Sequence, residues 1–183
     1  MLFAQEKEDF PTLEANLVQL STQFLKDSLQ ENRITAATKF DEALQLSLQQ
    51  KGSFNYPFTD LETVSILYPK DSTFRVFTWQ VYVDKNNYRY GGLIQMNRPD
   101  NQVFPLHDQS ADIATYDLEF DILGPSDWYG AIYFNIQEYP TKEGNKYLLF
   151  GFDGYEFFNK RKVVEAFHFD ESGQPVFLSL IHI

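Results

Sequence analysis

Trp128-Tyr-Gly-Ala-Ile-Tyr-Phe-Asn-Ile-Gln-Glu138, with Lys146-Tyr-Leu-Leu-Phe-Gly-Phe152 shortly after it, is the stretch whose reading decides the fold. Both runs are rich in aromatic and β-branched residues, which suit a pleated, half-buried strand. Between them Tyr139-Pro-Thr-Lys-Glu-Gly-Asn145 carries the Pro, Gly and Asn that turns use. The pair therefore reads as an antiparallel hairpin. Successive strand side chains point to opposite faces. That alternation predicts a core face of Trp128, Ile132, Phe134 and Ile136, joined by Leu148, Phe150 and Phe152. Tyr129, Tyr133, Asn135, Gln137 and Tyr139 fall on the other, tyrosine-rich face.

Working outward, the same short-strand rhythm extends in both directions. Thr63–Tyr68 turns at Pro69-Lys-Asp-Ser72, Phe74–Val83 at Asp84-Lys-Asn-Asn87, and Tyr88–Met96 ends at Arg98-Pro-Asp-Asn101. Beyond the hairpin, Arg161–Phe169 turns at Asp170-Glu-Ser-Gly173 into Val176–Ile183. Turns this close together imply an antiparallel meander, because a parallel pair needs a long crossover. Phe77, Trp79, Val81 and Val83 line one side of their strand, while Phe74, Val76 and Tyr82 line the other. A sheet wetted on one side alternates more cleanly, so part of its second face must be covered. Alternatively the sheet curls into a partial barrel, with Gly91-Gly92, Gly130 and Gly151 marking the bends.

The cover comes from the first part of the chain. Leu13, Leu17, Leu20 and Phe24 recur at helical spacing after Pro11 and Thr12, which suit a helix start. Glu14, Gln19, Gln23 and Lys26 are left outside. After a break at Glu31-Asn-Arg33 comes a second stripe, Ala37, Phe40, Leu44 and Leu48, with Thr35 as its cap. The expected fold is α+β in one domain, residues 1–183. An antiparallel two-helix hairpin (6–52) packs on a curved antiparallel meander or partial barrel of about seven to eight strands (60–183).

Composition narrows the function classes. At 183 residues and 43% hydrophobic, the chain can bury a real core without metals or disulfides. Fifteen basic against 26 acidic residues give a charge of −11, which argues against nucleic acid as a partner. The absence of cysteine removes thiol nucleophiles and thiolate-bound zinc. No apolar run approaches the ~20 residues needed to span a bilayer. Gly-x-Ser-x-Gly, phosphate-loop and His-Glu-x-x-His motifs are absent, and His107, His168 and His182 have no metal-ligand spacing.

Three stretches remain as candidates. In Tyr116-Asp-Leu-Glu-Phe-Asp-Ile122, alternation sets Asp117, Glu119 and Asp121 on one face, about 6.6 Å apart at ~3.3 Å per residue. That spacing suits a Ca²⁺ site or a carboxylate pair; the plainer reading is a charged edge strand that resists sheet-to-sheet pairing. Asp153-Gly154 opens an aromatic loop with Tyr155 and leads to Lys160-Arg161-Lys162, the basic cluster of an acidic chain. The third is the tyrosine face. Tyr129 and Tyr133 either stack on a ligand or pack inside with their hydroxyls bonded. The ligand-binding candidates are thus Tyr129, Tyr133, Asp153, Tyr155 and Arg161.

Phe74-Arg-Val-Phe-Thr-Trp79, Tyr88-Arg-Tyr-Gly-Gly-Leu-Ile-Gln95, Trp128-Tyr-Gly-Ala-Ile-Tyr133 and Gly151-Phe-Asp-Gly154 with Arg161-Lys-Val-Val164 are similar to stretches in exported proteins of Bacteroidetes-type bacteria. The resemblance spans about residues 60–178 and brings no activity, cofactor or catalytic residue with it. It implies export, and Met1-Leu-Phe-Ala-Gln5 resembles the tail of a signal peptide. The reading that follows is a non-enzymatic periplasmic or secreted module that binds a glycan, peptide or protein, with no cofactor and Ca²⁺ the single candidate ion. The alternative is a carbohydrate hydrolase using carboxylates among Asp117, Glu119, Asp121, Asp153 and Glu165.

Overall fold

The computed structural model describes residues 9–85, 87–110, 121–154 and 160–182. The protein is α+β, and its described elements stack in three layers. Helices α1 (Phe10–Lys26) and α2 (Gln30–Gln49) form the first layer. The second is a four-stranded antiparallel meander of β1 (Ser65–Leu67), β2 (Phe74–Asp84), β3 (Asn87–Met96) and β4 (Val103–His107). The third holds β5 (Ile122–Leu123), β6 (Ile132–Thr141), β7 (Gly144–Asp153), β8 (Arg161–Phe169) and β9 (Pro175–His182), in the order β5-β9-β8-β7-β6. The expected single curved sheet is therefore two sheets face to face. No helix among the described residues is long and apolar enough to cross a membrane.

Each gap between layers holds one core. Between the helices and the first sheet lie Leu17, Phe24, Phe40, Leu44 and Leu48 against Phe77, Trp79, Val81 and Leu93. Between the sheets lie Phe74, Val76, Ile94 and Phe104 against Tyr133, Tyr147, Leu149, Val163, Phe167 and Phe177. The two-sided apolar pattern of β2 follows directly, since that strand is covered from both sides.

The helices differ in detail from the periodic reading. Asp9 caps α1 by accepting from Thr12 N at 2.9 Å. The buried stripe is Glu14, Leu17, Ser21 and Phe24, so Glu14 turns inward, where Tyr56 Oη (2.5 Å) and Asp60 N (2.7 Å) donate to it. Helix α2 begins at Gln30 without a side-chain cap, well before Thr35. Its entry is fixed by Arg33, which donates to the Asp27 and Ser28 carbonyls of the helix turn and to Tyr82 O and Val83 O of β2. Strand β4, unforeseen because Pro105 interrupts it, is an edge strand, where a residue without an N–H is tolerated.

The predicted core face of the hairpin is inverted on β7 but not on β6, where Ile132 and Ile136 pack, half-buried, against the core between the sheets. On β7 the buried residues are Tyr147, Leu149, Gly151 and Asp153, while Leu148, Phe150 and Phe152 are half-buried on the outside. Tyr129 and Tyr133 are fully buried, and Phe134 is 55% exposed at a bulge between Tyr133 and Asn135. Alternation shows that two faces differ without saying which is inside. The tyrosines go in because each hydroxyl finds a buried acceptor. Trp128 is buried as expected.

Candidate functional site

Three of the residues singled out in the sequence meet at one end of the sheet sandwich. Asp153 closes β7 opposite Arg161 of β8 and is 2% exposed. Its two carboxylate oxygens accept from Tyr90 Oη and Tyr129 Oη, both at 2.8 Å. Arg161 Nη1 reaches Tyr129 Oη at 3.4 Å, and Gly154 N donates to Tyr90 Oη at 2.6 Å. Lys160 donates to Gly154 O at 3.0 Å and stands 4.8 Å from the centre of the Tyr88 ring. Burial, reinforced by the Asp153 charge, pushes both Tyr90 and Tyr129 far above the ordinary phenol range, so both act as donors.

Tyr133 belongs to a second cluster. Its hydroxyl accepts from Trp128 Nε1 at 2.6 Å and donates to Glu165 Oε2. Glu165 is 1% exposed, and Oε1 has no partner among the described residues. Burial pushes this carboxyl up to about 7, against the opposing pull of the Tyr133 bond. The tyrosine face is thus packed inside, divided between two separate networks. Asp121 is exposed beside β5, while Asp117, Glu119 and Tyr155 lie outside the described residues. No group of three or more His, Asp or Glu among the described residues is placed to hold a metal ion.

Tyr90 connects the first network to the surface. A cleft of about 360 Å³ opens between α2 and the edge formed by β2, β3 and β4. One wall is Ile34, Ala37, Thr38 and Asp41; the other includes Trp79, Arg89, Tyr90, His107 and Asp108. Asp108 follows the last residue of β4. Its carboxylate accepts from Tyr90 N at 2.8 Å and Ser110 N at 2.9 Å. The seat is exact in its backbone requirement: Gly130 has φ +86°, and a Cβ there would stand 2.3 Å from Asp108 Oδ1. Gly91 serves the floor in the same way, since a Cβ on it would meet the Trp79 indole at 2.2 Å.

Both cleft carboxylates are raised above the usual aspartate range. For Asp108 burial is the cause, opposed by the Ser110 and Tyr90 bonds. For Asp41 burial again dominates, opposed by the Gln45 amide at 3.1 Å and by the charge of His107. Thr38 is the hydroxyl on the helical wall, and it donates to Ile34 O of its own helix at 3.2 Å. The cleft therefore offers two desolvated acceptors, a guanidinium and an imidazole. It contains no hydroxyl activated by a base among the described residues.

None of Asp41, Arg89, His107 and Asp108 stood out in the sequence. The one local signal was the adjacent His107-Asp108 pair at the end of a proline-broken strand. The topology brings position 41 to positions 89 and 107–108, and nothing in their spacing announces it. No family model, no curated protein and no solved structure matches the chain.

Proposed function

We propose that the protein is an exported, non-enzymatic binding module whose ligand is a small glycan held in the cleft between α2 and the β2–β3–β4 edge. The observation that carries this reading is the pair Asp41 and Asp108, on opposite walls of one cleft of about 360 Å³, both raised by burial. A desolvated carboxylate is stabilised by incoming hydrogen-bond donors. Sugar hydroxyls supply them, and they accept in turn from Arg89 and His107. The volume falls in the usual range for small-molecule sites, ~300–1,000 Å³, and concavity favours a glycan over a flat protein partner. Binding is favoured over hydrolysis because both oxygens of Asp108 already accept backbone N–H groups, which holds it as a fixed acceptor. Export belongs to the proposal and rests only on the resemblance read from the sequence.

The test is a glycan array followed by titration calorimetry of the best hit. Each charge-assisted bond is worth ~1.5–3 kcal/mol, so Asp41→Asn and Asp108→Asn should each weaken binding by about tenfold or more. A hit that binds both variants as tightly as wild type overturns the placement, and an empty array overturns the ligand class.

Asp41 gives specific support to a second reading, a carbohydrate hydrolase. It is half-buried and raised by burial, as a general acid would be, although the charge of His107 pulls it down. Release of reducing ends from a bound oligosaccharide, lost in Asp41→Asn, would select this reading over simple binding.

A further inference from the structure

A second cavity, of about 240 Å³, lies where α1 and the two sheets meet. Four uncharged polar side chains line it: Thr63 in the turn before β1, Ser65 of β1, and Thr78 and Gln80 of β2. Positions 78 and 80 share the face of β2 opposite to the one that Trp79 and Val81 present to the cleft. Apolar surface comes from Ile132 and Phe152, cross-strand partners in the β6–β7 hairpin, and from Leu25, 41% exposed at the rim. Ser65 and Thr78 are already in use. Ser65 Oγ donates to Tyr133 O at 2.5 Å, and Tyr133 N donates to Thr78 Oγ1 at 3.0 Å. This inner pair therefore holds the N–H and the C=O of one residue of β6. The outer pair holds nothing: Thr63 Oγ1 and Gln80 Oε1 are buried and have no hydrogen-bond partner among the described residues. Upstream of Tyr133 the chain runs to Gly130, whose close neighbour is Asp108 beside the opposite edge of the first sheet.

We propose that this cavity is a second binding site, separate from the cleft, and that its occupant is one aliphatic residue of a short extended peptide. The outer pair repeats the chemistry of the inner one. Gln80 Oε1 accepts the N–H of the bound residue, and the Thr63 hydroxyl donates to its C=O. A buried polar atom without a partner destabilises the fold, so an occupant that supplies both groups is favoured. Charge restricts the occupant further. None of the lining side chains is ionisable, so a charged side chain or a free terminus would be desolvated there without a counter-charge. Leu25, Ile132 and Phe152 suit a branched aliphatic side chain instead. The volume falls below the ~300 Å³ at which small-molecule sites usually begin, which fits a single residue.

Methyl-resolved NMR titration of the full chain tests the proposal, with N-acetyl-leucine methylamide as the probe. Its control is the diester of the same shape, in which each N–H is replaced by oxygen. The expected result is a saturable shift of the Leu25 and Ile132 methyl signals at millimolar probe, with the diester at least about tenfold weaker. Thr63→Val and Gln80→Met each remove one unpartnered oxygen at nearly constant shape. Each should weaken the probe by about tenfold or more while leaving the melting temperature in place, since the lost atom has no bond in the fold to give up. The absence of a saturable shift, equal binding of the diester, or wild-type affinity in either variant overturns the proposal. So does a fall in melting temperature of more than about 2 °C in both variants, which would mean that the two oxygens are bonded inside the fold or to internal water. N-acetylglucosamine shifting the same methyl signals in place of the leucine probe overturns the peptide assignment.

Discussion

Arg75 is 0% exposed, and replacing it with methionine is the sharpest test of how the helical layer is fastened to the first sheet. Its guanidinium donates to Gln95 Oε1 (2.7 Å), Tyr56 O (2.8 Å), Tyr68 Oη (2.7 Å) and Ser53 O (2.8 Å). The rings of Phe54, Phe58, Tyr68 and Phe77 surround it at 4.7–5.7 Å. Gln95 carries the network on to Leu48 O and Ser53 Oγ, at the end of α2. No carboxylate among the described residues pairs with this cation. Carbonyl dipoles and π-faces do that work, which lysine, with a compact point charge and no planar fork, cannot reproduce. Methionine keeps much of the volume but orphans Gln95 Oε1, Tyr56 O and Ser53 O, at ~1–3 kcal/mol each. Relief from burying a charge returns part of that ~3–9 kcal/mol, leaving a net loss of about 2–5 kcal/mol. At ~2–4 °C per kcal/mol for a domain of this size, Arg75→Met should melt roughly 4–20 °C below wild type. Thermal and urea unfolding followed by circular dichroism measure it. A shift under about 2 °C would refute the idea that this network joins the layers.

Two further outcomes follow from the buried groups between the sheets. Glu165 has a folded-state value raised from 4.5 to about 7, so its stabilising contribution is fully present below pH ~4.5 and is lost as pH rises through about 7. The loss is on the order of 3 kcal/mol; Glu165→Gln should flatten the fall in stability between pH 5 and pH 8 that wild type shows in urea titrations, and an equal fall in both proteins counts against the assignment. Trp128→Ala removes a fully buried ring and the donor to Tyr133, and should cost about 3–5 kcal/mol in the same assay; a melting point within about 2 °C of wild type is the contrary result.

The elements and the helix faces were largely legible in the sequence, and the faces of the β6–β7 hairpin were not. Leu17, Phe24, Phe40, Leu44 and Leu48 recur at a helical period no strand could use, and turn residues cut the rest into antiparallel strands. The hairpin then misled, because Phe150 and Phe152 outrank Tyr147 and Asp153 on any scale of apolarity. That ordering holds only while tyrosine and aspartate lack partners. Once Tyr90 and Tyr129 donate to Asp153, and Tyr133 to Glu165, the polar face can be buried and the phenylalanine face turned out. Arg75 was invisible for a similar reason. Two of its acceptors are main-chain carbonyls of the connector after α2, which no residue pattern displays.

The same pairing of tyrosine with carboxylate bears on how the cleft is held. Asp108 is fixed from one side by Tyr90 N and from the other by the close approach of Gly130. Tyr90 is itself anchored through its hydroxyl to Asp153, and Asp153 to Tyr129, the residue next to Gly130. The contacts close a ring from Asp108 through Tyr90, Asp153 and Tyr129 back to the Gly130 backbone, spanning both sheets. A cleft wall positioned by such a ring would lose little ordering entropy on binding the proposed glycan. Asp41 lies outside the ring, on α2, and is held by Gln45 of its own helix. The two walls therefore differ in kind: the Asp108 wall is fixed by the sheet sandwich, whereas the Asp41 wall depends on how the helical layer sits, which the Arg75 network helps to set.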